Sequence, residues 1–175
     1  MKKITKNSSM TFHGILPFSA LLILLMICGS TQIYAQGSKA DFSGSWVLNA
    51  EKSNLGDTGG RRMGGGDFVA TQEVNLLTVV STRTNRDGES VTTTRKFTLD
   101  GKESVNEMRN FESKSTAKWS DDGKTLTIET VFSFNGNEMK SSEVWTMKDA
   151  RTLSISSTRQ GRNGEIKRTL IYDKK

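Results

Sequence analysis

The sequence predicts an all-β protein, a single up-and-down antiparallel β-barrel of about 8–10 strands. The first observation is that apolar and polar residues alternate with a period of two from Phe68 onward, without helical periodicity. The second is that five Asp-Gly or Asn-Gly pairs separate the alternating runs, and these pairs favour tight hairpins because their backbone accepts positive φ. The third is that Pro17 is the only proline, so none interrupts the strands. Closing such a meander into a barrel removes its exposed edges.

Residues 1–35 follow the three-part plan of a secretory signal peptide. Lysines without acids mark the start, an apolar run spans 15–27, and the segment turns small and polar before Ala35. The apolar run is interrupted by Pro17 and is shorter than the roughly 20 apolar residues of a membrane-spanning helix. We therefore predict cleavage after Ala35, export to the periplasm or the extracellular space, and no transmembrane segment in the mature chain.

Cys28 is the only cysteine, and it lies inside this leader. Leu25 stands three residues before it, as in a lipoprotein acylation site, whereas Ile27 occupies a position that normally holds a small residue. We predict that Cys28 is removed with the leader, and a lipid anchor at Cys28 is the alternative. After removal the mature chain has no cysteine and no disulfide, so its stability depends on its core.

Residues 36–175 form the predicted barrel domain. The full chain carries a formal charge of +6, and the loss of three leader lysines leaves +3. This charge is ordinary for a small domain and gives no argument for nucleic-acid binding. A length of about 140 residues suits one domain with a single core.

The first predicted strand, 42–49, carries the feature that closes the barrel. Gly44 lets the backbone pass close to a neighbouring strand, and Trp46 can then plug one end of the rolled-up sheet. The glycine-rich segment 56–66 predicts a flexible loop. Its arginines could contact an anionic surface, but it lacks the Lys-Ser/Thr ending and the helix start of a phosphate-binding loop.

Nine further strands are predicted from the alternation and the turn signals, and the alternation gives most of them an inner face. These inner faces mix serine, arginine and glutamate with aromatic residues, which is typical of a ligand cavity wall. Arginine suits such a wall because its guanidinium binds a carboxylate or phosphate through two parallel hydrogen bonds. The predicted ranges are 68–74, 76–84, 89–98, 103–108, 111–120, 124–134, 138–147, 151–159 and 165–172. The candidate lumen residues are Arg83, Arg95, Phe97, Trp119, Phe132, Glu143, Trp145, Arg159, Arg168 and Tyr172.

Two alternatives apply to these candidates. The arginines could leave their guanidinium groups at the barrel mouth while their stems cover apolar surface, or they could pair with Glu143 in a structural network. A one-residue slip in strand register would also move the whole set to the outside of the barrel.

The spacing Phe42-x-Gly44-x-Trp46-x-Leu48 resembles the opening of the calycin group. This group contains the lipocalins, the fatty-acid-binding proteins and bacterial secreted lipocalin-like proteins. The run Leu-Asn-x-x-Lys-Ser at 48–53 and the terminal Tyr-Asp-Lys-Lys are similar to the secreted lipocalin-like proteins. The resemblance implies a ligand-holding barrel whose closing strand places a basic residue near Trp46.

The last strand departs from the pattern of the fatty-acid-binding proteins. Those proteins hold a carboxylate with an Arg-x-Tyr pair, whereas Arg168 and Tyr172 are four residues apart here. The lipocalin disulfides are also absent. The resemblance therefore implies the fold more than the ligand.

The residues of the commonest catalytic sites are missing from the predicted domain. His13 is the only histidine and lies in the leader, which leaves no Ser-His-Asp or Cys-His system and no imidazole or thiolate metal ligand. Turn chemistry explains many of the acids. These turn acids are Asp87, Asp100, Asp121 and Asp122. We predict no catalytic residue, no cofactor and no metal.

The favoured hypothesis is a secreted, non-enzymatic binding protein that holds a small, partly apolar ligand in the lumen, with arginines available for an anionic group. Its partner is a small hydrophobic or amphiphilic molecule and not nucleic acid. The first alternative is an envelope protein with a filled lumen that contacts another macromolecule through its outer surface or the 56–66 loop. The second is an enzyme with carboxylate chemistry at the barrel mouth.

Overall fold

The computed structural model describes residues 38–55, 65–84, 87–108, 111–134, 136–161 and 164–175. The predicted leader, and residues 56–64 of the glycine-rich segment, lie outside these ranges. Within them the regular structure is entirely β, as predicted. No helix of the described part is long and apolar enough to cross a membrane.

The described ranges contain ten strands, one at each predicted place. They are β1 (Gly44–Asn54), β2 (Phe68–Gln72), β3 (Leu76–Thr84), β4 (Ser90–Thr98), β5 (Glu103–Met108), β6 (Phe111–Trp119), β7 (Thr125–Phe134), β8 (Asn137–Asp149), β9 (Thr152–Gly161) and β10 (Gly164–Lys174). The predicted turn glycines adopt positive φ angles between 69° and 116°. These glycines are Gly88, Gly101, Gly123, Gly136 and Gly164. Positive φ is the conformation that ends one strand and starts the next in a tight hairpin.

All ten strands belong to one antiparallel sheet in the order β4-β3-β2-β1-β10-β9-β8-β7-β6-β5. Apart from β4 and β5, strands that are consecutive in the chain are therefore neighbours in the sheet, which is the predicted up-and-down topology. The first strand pairs with the last, with Trp46 opposite Lys174 and Leu48 opposite Tyr172. This pairing joins the two ends of the domain and rolls the sheet into a barrel.

Closure is incomplete at one seam, because β4 and β5 share no backbone ladder. Side chains of β5 replace the missing main-chain partners. Asn106 accepts a hydrogen bond from the Lys96 amide at 2.6 Å and donates one to the Lys96 carbonyl at 2.9 Å. Ser104 accepts from the Thr98 amide at 2.8 Å. The buried side chains of Asn106 and Ser104 thus satisfy an edge that would otherwise lack partners.

The hydrophobic core fills one end of the barrel. The Phe42 ring stacks on Trp119 with centroids 5.6 Å apart, and it meets Trp145 edge-on at the same separation. The indole N–H of Trp46 donates to the Phe42 carbonyl at 2.9 Å, so this buried polar group is satisfied. The large side chains that are fully buried are Trp46, Trp145, Phe42, Phe97, Leu77, Leu126, Ile128 and Leu153.

Gly44 lies where the closing strand passes the first strand. Its φ is 151°, and a Cβ at this position would lie 2.5 Å from Cε of Lys174. Lys174 in turn places Nζ 5.4 Å from the centroid of the Trp46 ring, within the range of a cation–π interaction. Lys174 is therefore the basic residue that the resemblance implied near Trp46.

Candidate ligand-binding cavity

Inward-facing residues of β6 to β10 form successive rows along the barrel wall, because residues paired across antiparallel strands lie side by side. The apolar row consists of Trp119, Leu126, Trp145, Ile155 and Leu170. The charged row beside it consists of Ala117, Ile128, Glu143, Ser157 and Arg168. The hydroxyl row comes next and consists of Ser115, Thr130, Ser141, Arg159 and Ile166. The wall therefore changes from apolar to polar along the barrel axis.

A cavity of about 210 Å³ lies on the polar side of this boundary. The whole hydroxyl row lines it, together with Glu143, Ser157 and Arg168 of the charged row, whereas no member of the apolar row does. The remaining lining residues are Arg95, Phe97, Asn106, Ser113, Phe132 and Thr158. The barrel is thus packed at one end and hollow toward the other.

Arg95 and Glu143 form an ion pair across the lumen. Nη1 of Arg95 lies 3.1 Å from Oε1 of Glu143, and the two side chains are 29% and 20% exposed. Their strands, β4 and β8, are not neighbours in the sheet, so the pair connects opposite walls. The other carboxylate oxygen, Oε2, accepts from the Trp145 indole N–H at 3.1 Å, and the Arg95 guanidinium lies 5.4 Å from the Phe97 ring centroid.

The surroundings of Glu143 keep it ionised. Burial raises its pKa, because desolvation penalises the charged form, but the positive charge of Arg95 opposes this effect. Hydrogen bonds from Trp145 and Arg95, and the charge of Arg168, act in the same direction as Arg95, and the pKa ends below its ordinary value of 4.5. A general acid working near neutral pH requires the opposite shift.

Two further groups of β10 are fixed close to the charged row. Arg168 donates through Nε to the Ser157 hydroxyl at 2.7 Å, which orients its guanidinium against the wall. Tyr172 is buried, and its burial together with the negative charge of Glu143 raises its pKa to about 12. The Tyr172 phenol is therefore neutral at physiological pH.

The candidates from the sequence fall into three groups. Arg95, Phe97, Phe132, Glu143, Arg159 and Arg168 line the cavity. Trp119, Trp145 and Tyr172 pack in or against the core, where Trp46 also lies, and Gly44 stands at the same end of the barrel. Arg83 lines no part of the cavity: it is exposed near the end of β3, because strand parity gives a face but not a position along the axis.

The small polar lining residues were not among the candidates. Alternation places Ser113, Ser115, Ser141 and Ser157 on inner faces, and a hydroxyl at inward positions of successive strands is the signal that could have found them. Asn106 had no comparable signal, because its inward position depends on the seam between β4 and β5.

The lining chemistry suits binding. Guanidinium groups bind oxyanions, hydroxyls donate and accept hydrogen bonds, and the partly exposed Phe132 offers apolar surface. Within the described residues, no group of three His, Cys, Asp or Glu side chains is placed to hold a metal ion.

Two solved structures are similar to this chain. The crystal structure of zebrafish ileal bile acid-binding protein complexed with cholic acid has a TM-score of 0.53 and 20% sequence identity, over 77% of this chain and 98% of that chain. The crystal structure of a point mutant of the fluorescent protein UnaG has a TM-score of 0.48 and 19% identity, over 77% of this chain and 96% of that chain. No protein-family model matches the sequence. No curated protein matches it either.

The likeness to the bile acid-binding protein extends over nearly all of that protein and shows the fold. The chain has an all-β, ten-stranded calycin-type barrel with a cavity in its lumen. At this level of identity the similarity establishes the architecture alone.

Proposed function

We propose that this protein is an exported, non-enzymatic binding protein that holds a small, partly apolar anion in its lumen. The observation that carries the proposal is the charge of the cavity wall: among the described lining residues, Arg95, Arg159 and Arg168 carry guanidinium groups and Glu143 carries a carboxylate. The charged groups lining the cavity therefore sum to an excess of positive charge. An anion entering this partly desolvated site would offset that excess.

The apolar part of the ligand is inferred from the aromatic lining residues. Phe97 and Phe132 line the same cavity as the arginines, so one molecule can contact both kinds of surface. Cavities with apolar walls and a few placed polar groups are typical small-molecule sites. The cavity also supports a binding lumen over the alternative of a filled barrel.

Two sequence features support the remaining parts of the proposal. The three-part pattern of residues 1–35 supports export. The only histidine and the only cysteine of the chain fall within that leader, and Glu143 lacks the pKa of a general acid, which supports binding without catalysis.

The test is native mass spectrometry of the protein purified from its own host, followed by mass analysis after denaturation. We expect a non-covalent adduct that disappears on denaturation. Arg159→Ala should lose most of the adduct because it removes a lining guanidinium, whereas Arg83→Ala, an exposed arginine outside the cavity, should retain it.

The denatured mass also tests the leader. A chain beginning at Gln36 agrees with cleavage after Ala35, whereas a chain retaining Cys28 with acyl groups would show a lipid anchor. A clean apo mass, together with no binding of any small organic anion, whether amphiphilic or hydroxylated, would overturn the binding proposal.

A further inference from the structure

We infer that the ligand is a compact, ring-bearing hydroxy acid and not a long-chain amphiphile, an inference that rests on the proposed function. Its oxyanion lies at Arg159 and Arg168, its hydroxyl groups face the hydroxyl row, and its ring lies against Phe132, which is partly exposed. Cavity size, the polarity of the wall and the spacing of the rows support this assignment independently.

The first argument is size. The cavity has a volume of about 210 Å³. Sites for drug-sized ligands are typically about 300–1,000 Å³. The lumen cannot extend past the charged row toward the packed end of the barrel, because Leu126 and Trp145 of the apolar row are fully buried in the core. A long acyl chain would exceed the space, whereas a substituted six-membered ring suits it.

The second argument is the polarity of the hydroxyl row. Ser115 and Thr130 share a hydrogen bond at 2.8 Å, and Ser141 lies opposite Thr130 on the next strand. Each hydroxyl has one donor and two acceptor positions, so the side-chain bond found among the described residues leaves most of the capacity of Thr130 and Ser141 for a ligand. An alkyl chain covering these groups would desolvate them without compensation, whereas a hydroxylated ligand would hydrogen-bond to them.

The third argument is spacing. Arg159 pairs directly with Ser141, so the hydroxyl row leads from neutral hydroxyls into a guanidinium on the next strand. Neighbouring strands are about 4.8 Å apart, so Thr130, Ser141 and Arg159 span roughly 10 Å. A ring with a carboxylate on one side and hydroxyls on the other has matching dimensions. Phe132 and Ile166, both partly exposed, supply apolar surface for its carbon skeleton.

The experiment uses two matched probes and calorimetric titration of the purified protein. The first is 3,4,5-trihydroxycyclohex-1-ene-1-carboxylate, and the second is the parent cyclohex-1-ene-1-carboxylate, which has the same ring and carboxylate without hydroxyls. Palmitate is the long-chain comparison. We expect the trihydroxy acid to bind at least about tenfold more tightly than the parent acid, on the order of one or two added hydrogen bonds, and palmitate not to bind.

Variants localise the effect. Thr130→Val and Ser141→Ala should each weaken binding of the trihydroxy acid about two- to tenfold while leaving the parent acid unchanged. Ser142→Ala is the matched control, because Ser142 is the next residue on β8 and alternation turns it away from the lumen. Equal loss of affinity for both acids, with an unchanged circular dichroism spectrum, would show that the hydroxyl row does not contact the ligand hydroxyls and would overturn the inference.

The outcomes separate this inference from the proposed function. Equal affinity for the two ring acids, or tighter binding of palmitate, would overturn the inference and leave the binding function standing. If no probe binds but the host-purified protein carries another adduct, the ligand class assigned here is wrong. If no probe binds and no adduct exists, both proposals fail.

Discussion

Glu143 illustrates how neighbouring residues decide what a buried carboxylate can do. Enclosed in a barrel, a carboxylate tends to become a weak acid that retains its proton. Arg95 and Trp145 prevent this by binding both oxygens, so Glu143 acts as a fixed negative charge opposite a cationic wall. It therefore limits the positive charge of the cavity and holds Arg95 in place.

The pH dependence of stability follows from the pKa of Glu143. Because its folded-state pKa lies below the ordinary 4.5, its stabilising effect is present above about pH 4.5 and is lost as the pH falls through the folded-state value. We expect Glu143→Gln to lower the free energy of unfolding at pH 7 by about 1–3 kcal/mol, since the pair is partly buried. Urea denaturation at pH 7 and pH 3 measures the effect.

Comparing wild-type and variant proteins at two pH values separates the contribution of Glu143 to stability from that of other acids. Asp100 and Asp122, for example, also have lowered pKa values. The wild-type and Glu143→Gln proteins should differ less at pH 3 than at pH 7. An undiminished difference at pH 3 would show that the ion pair is not the source of the stabilisation.

Gly44 gives a second prediction at the scale of one residue. Gly44→Ala introduces a Cβ that would lie 2.5 Å from Cε of Lys174 and forces alanine into a φ of 151°. We expect a loss of about 1–3 kcal/mol in unfolding free energy from strain and from displacement of Lys174. Thermal denaturation measures it, with Gly66→Ala as the control because a Cβ there meets nothing within 4 Å. Equal effects of the two substitutions would contradict the predicted role of Gly44.

At the scale of the strand, the turn residues allowed the strand pattern to be predicted from the sequence. Turn glycines at positive φ separate the hairpins, so strand number and order followed from them. Strand ends were less predictable: β10 reaches Lys174, two residues beyond its predicted end. Asp173 and Lys174 carry no apolar alternation. They stay in the sheet because they pair with β1 on one side, while on the other Asp173 pairs with Thr152 and the Lys174 amide donates to the Arg151 carbonyl.

The seam between β4 and β5 could not be predicted for a different reason. Whether two strands form a ladder depends on how the whole barrel curves, and no residue pattern in either strand records it. Nothing in the sequence distinguishes Ser104 and Asn106 from other strand residues. Their side chains bind main-chain groups of β4 because β4 and β5 form no ladder there.

A substitution at Asn106 tests the importance of the seam. Asn106→Leu keeps similar volume but leaves the amide and carbonyl of Lys96 without these partners. We expect a loss of about 1–3 kcal/mol and faster hydrogen exchange at the Lys96 amide. Val105→Ala, at a position on the same strand that is 54% exposed, should change stability by less than about 0.5 kcal/mol. An unchanged exchange rate at Lys96 in Asn106→Leu would show that the seam does not depend on this side chain.

At the scale of the whole molecule, the sequence predicts which side of most strands faces the lumen, but it does not predict where along the barrel axis each residue lies. Alternation identified inward residues on most strands, and six of the candidates do line the cavity. Their position along the axis depends on the registers of all the strand pairs together. For this reason Arg83 lies outside the cavity and Trp145 lies in the packed core. The hydroxyl row becomes visible only when four strand pairings are known together.

The closing of β1 on β10 should govern folding kinetics. The amide nitrogen Nδ2 of Asn49 donates to Asp173 at 2.7 Å, across 124 residues of chain. Because the fold depends on such distant pairings, we expect refolding in milliseconds to seconds. Asn49→Ala should cost about 1 kcal/mol and act mainly by raising the unfolding rate about fivefold, since closure forms late.

Stopped-flow measurement of folding and unfolding rates provides the check. Thr82→Val is the control, because the hydrogen bond of Thr82 to Thr92, at 3.0 Å, lies within one exposed hairpin. It should change either rate very little. If Asn49→Ala mainly slows refolding, the barrel ends meet before the rate-limiting step and not after it.

The layered wall has a consequence for evolution. Folding depends chiefly on the apolar row and the packed end, whereas ligand contact is confined to the charged and hydroxyl rows. Mutations in the hydroxyl row can therefore alter ligand preference without losing the stability that the tryptophans and leucines provide. Proteins that descend from such an ancestor can change their ligand while they keep the same fold. A shared fold among them therefore carries little information about what each one binds.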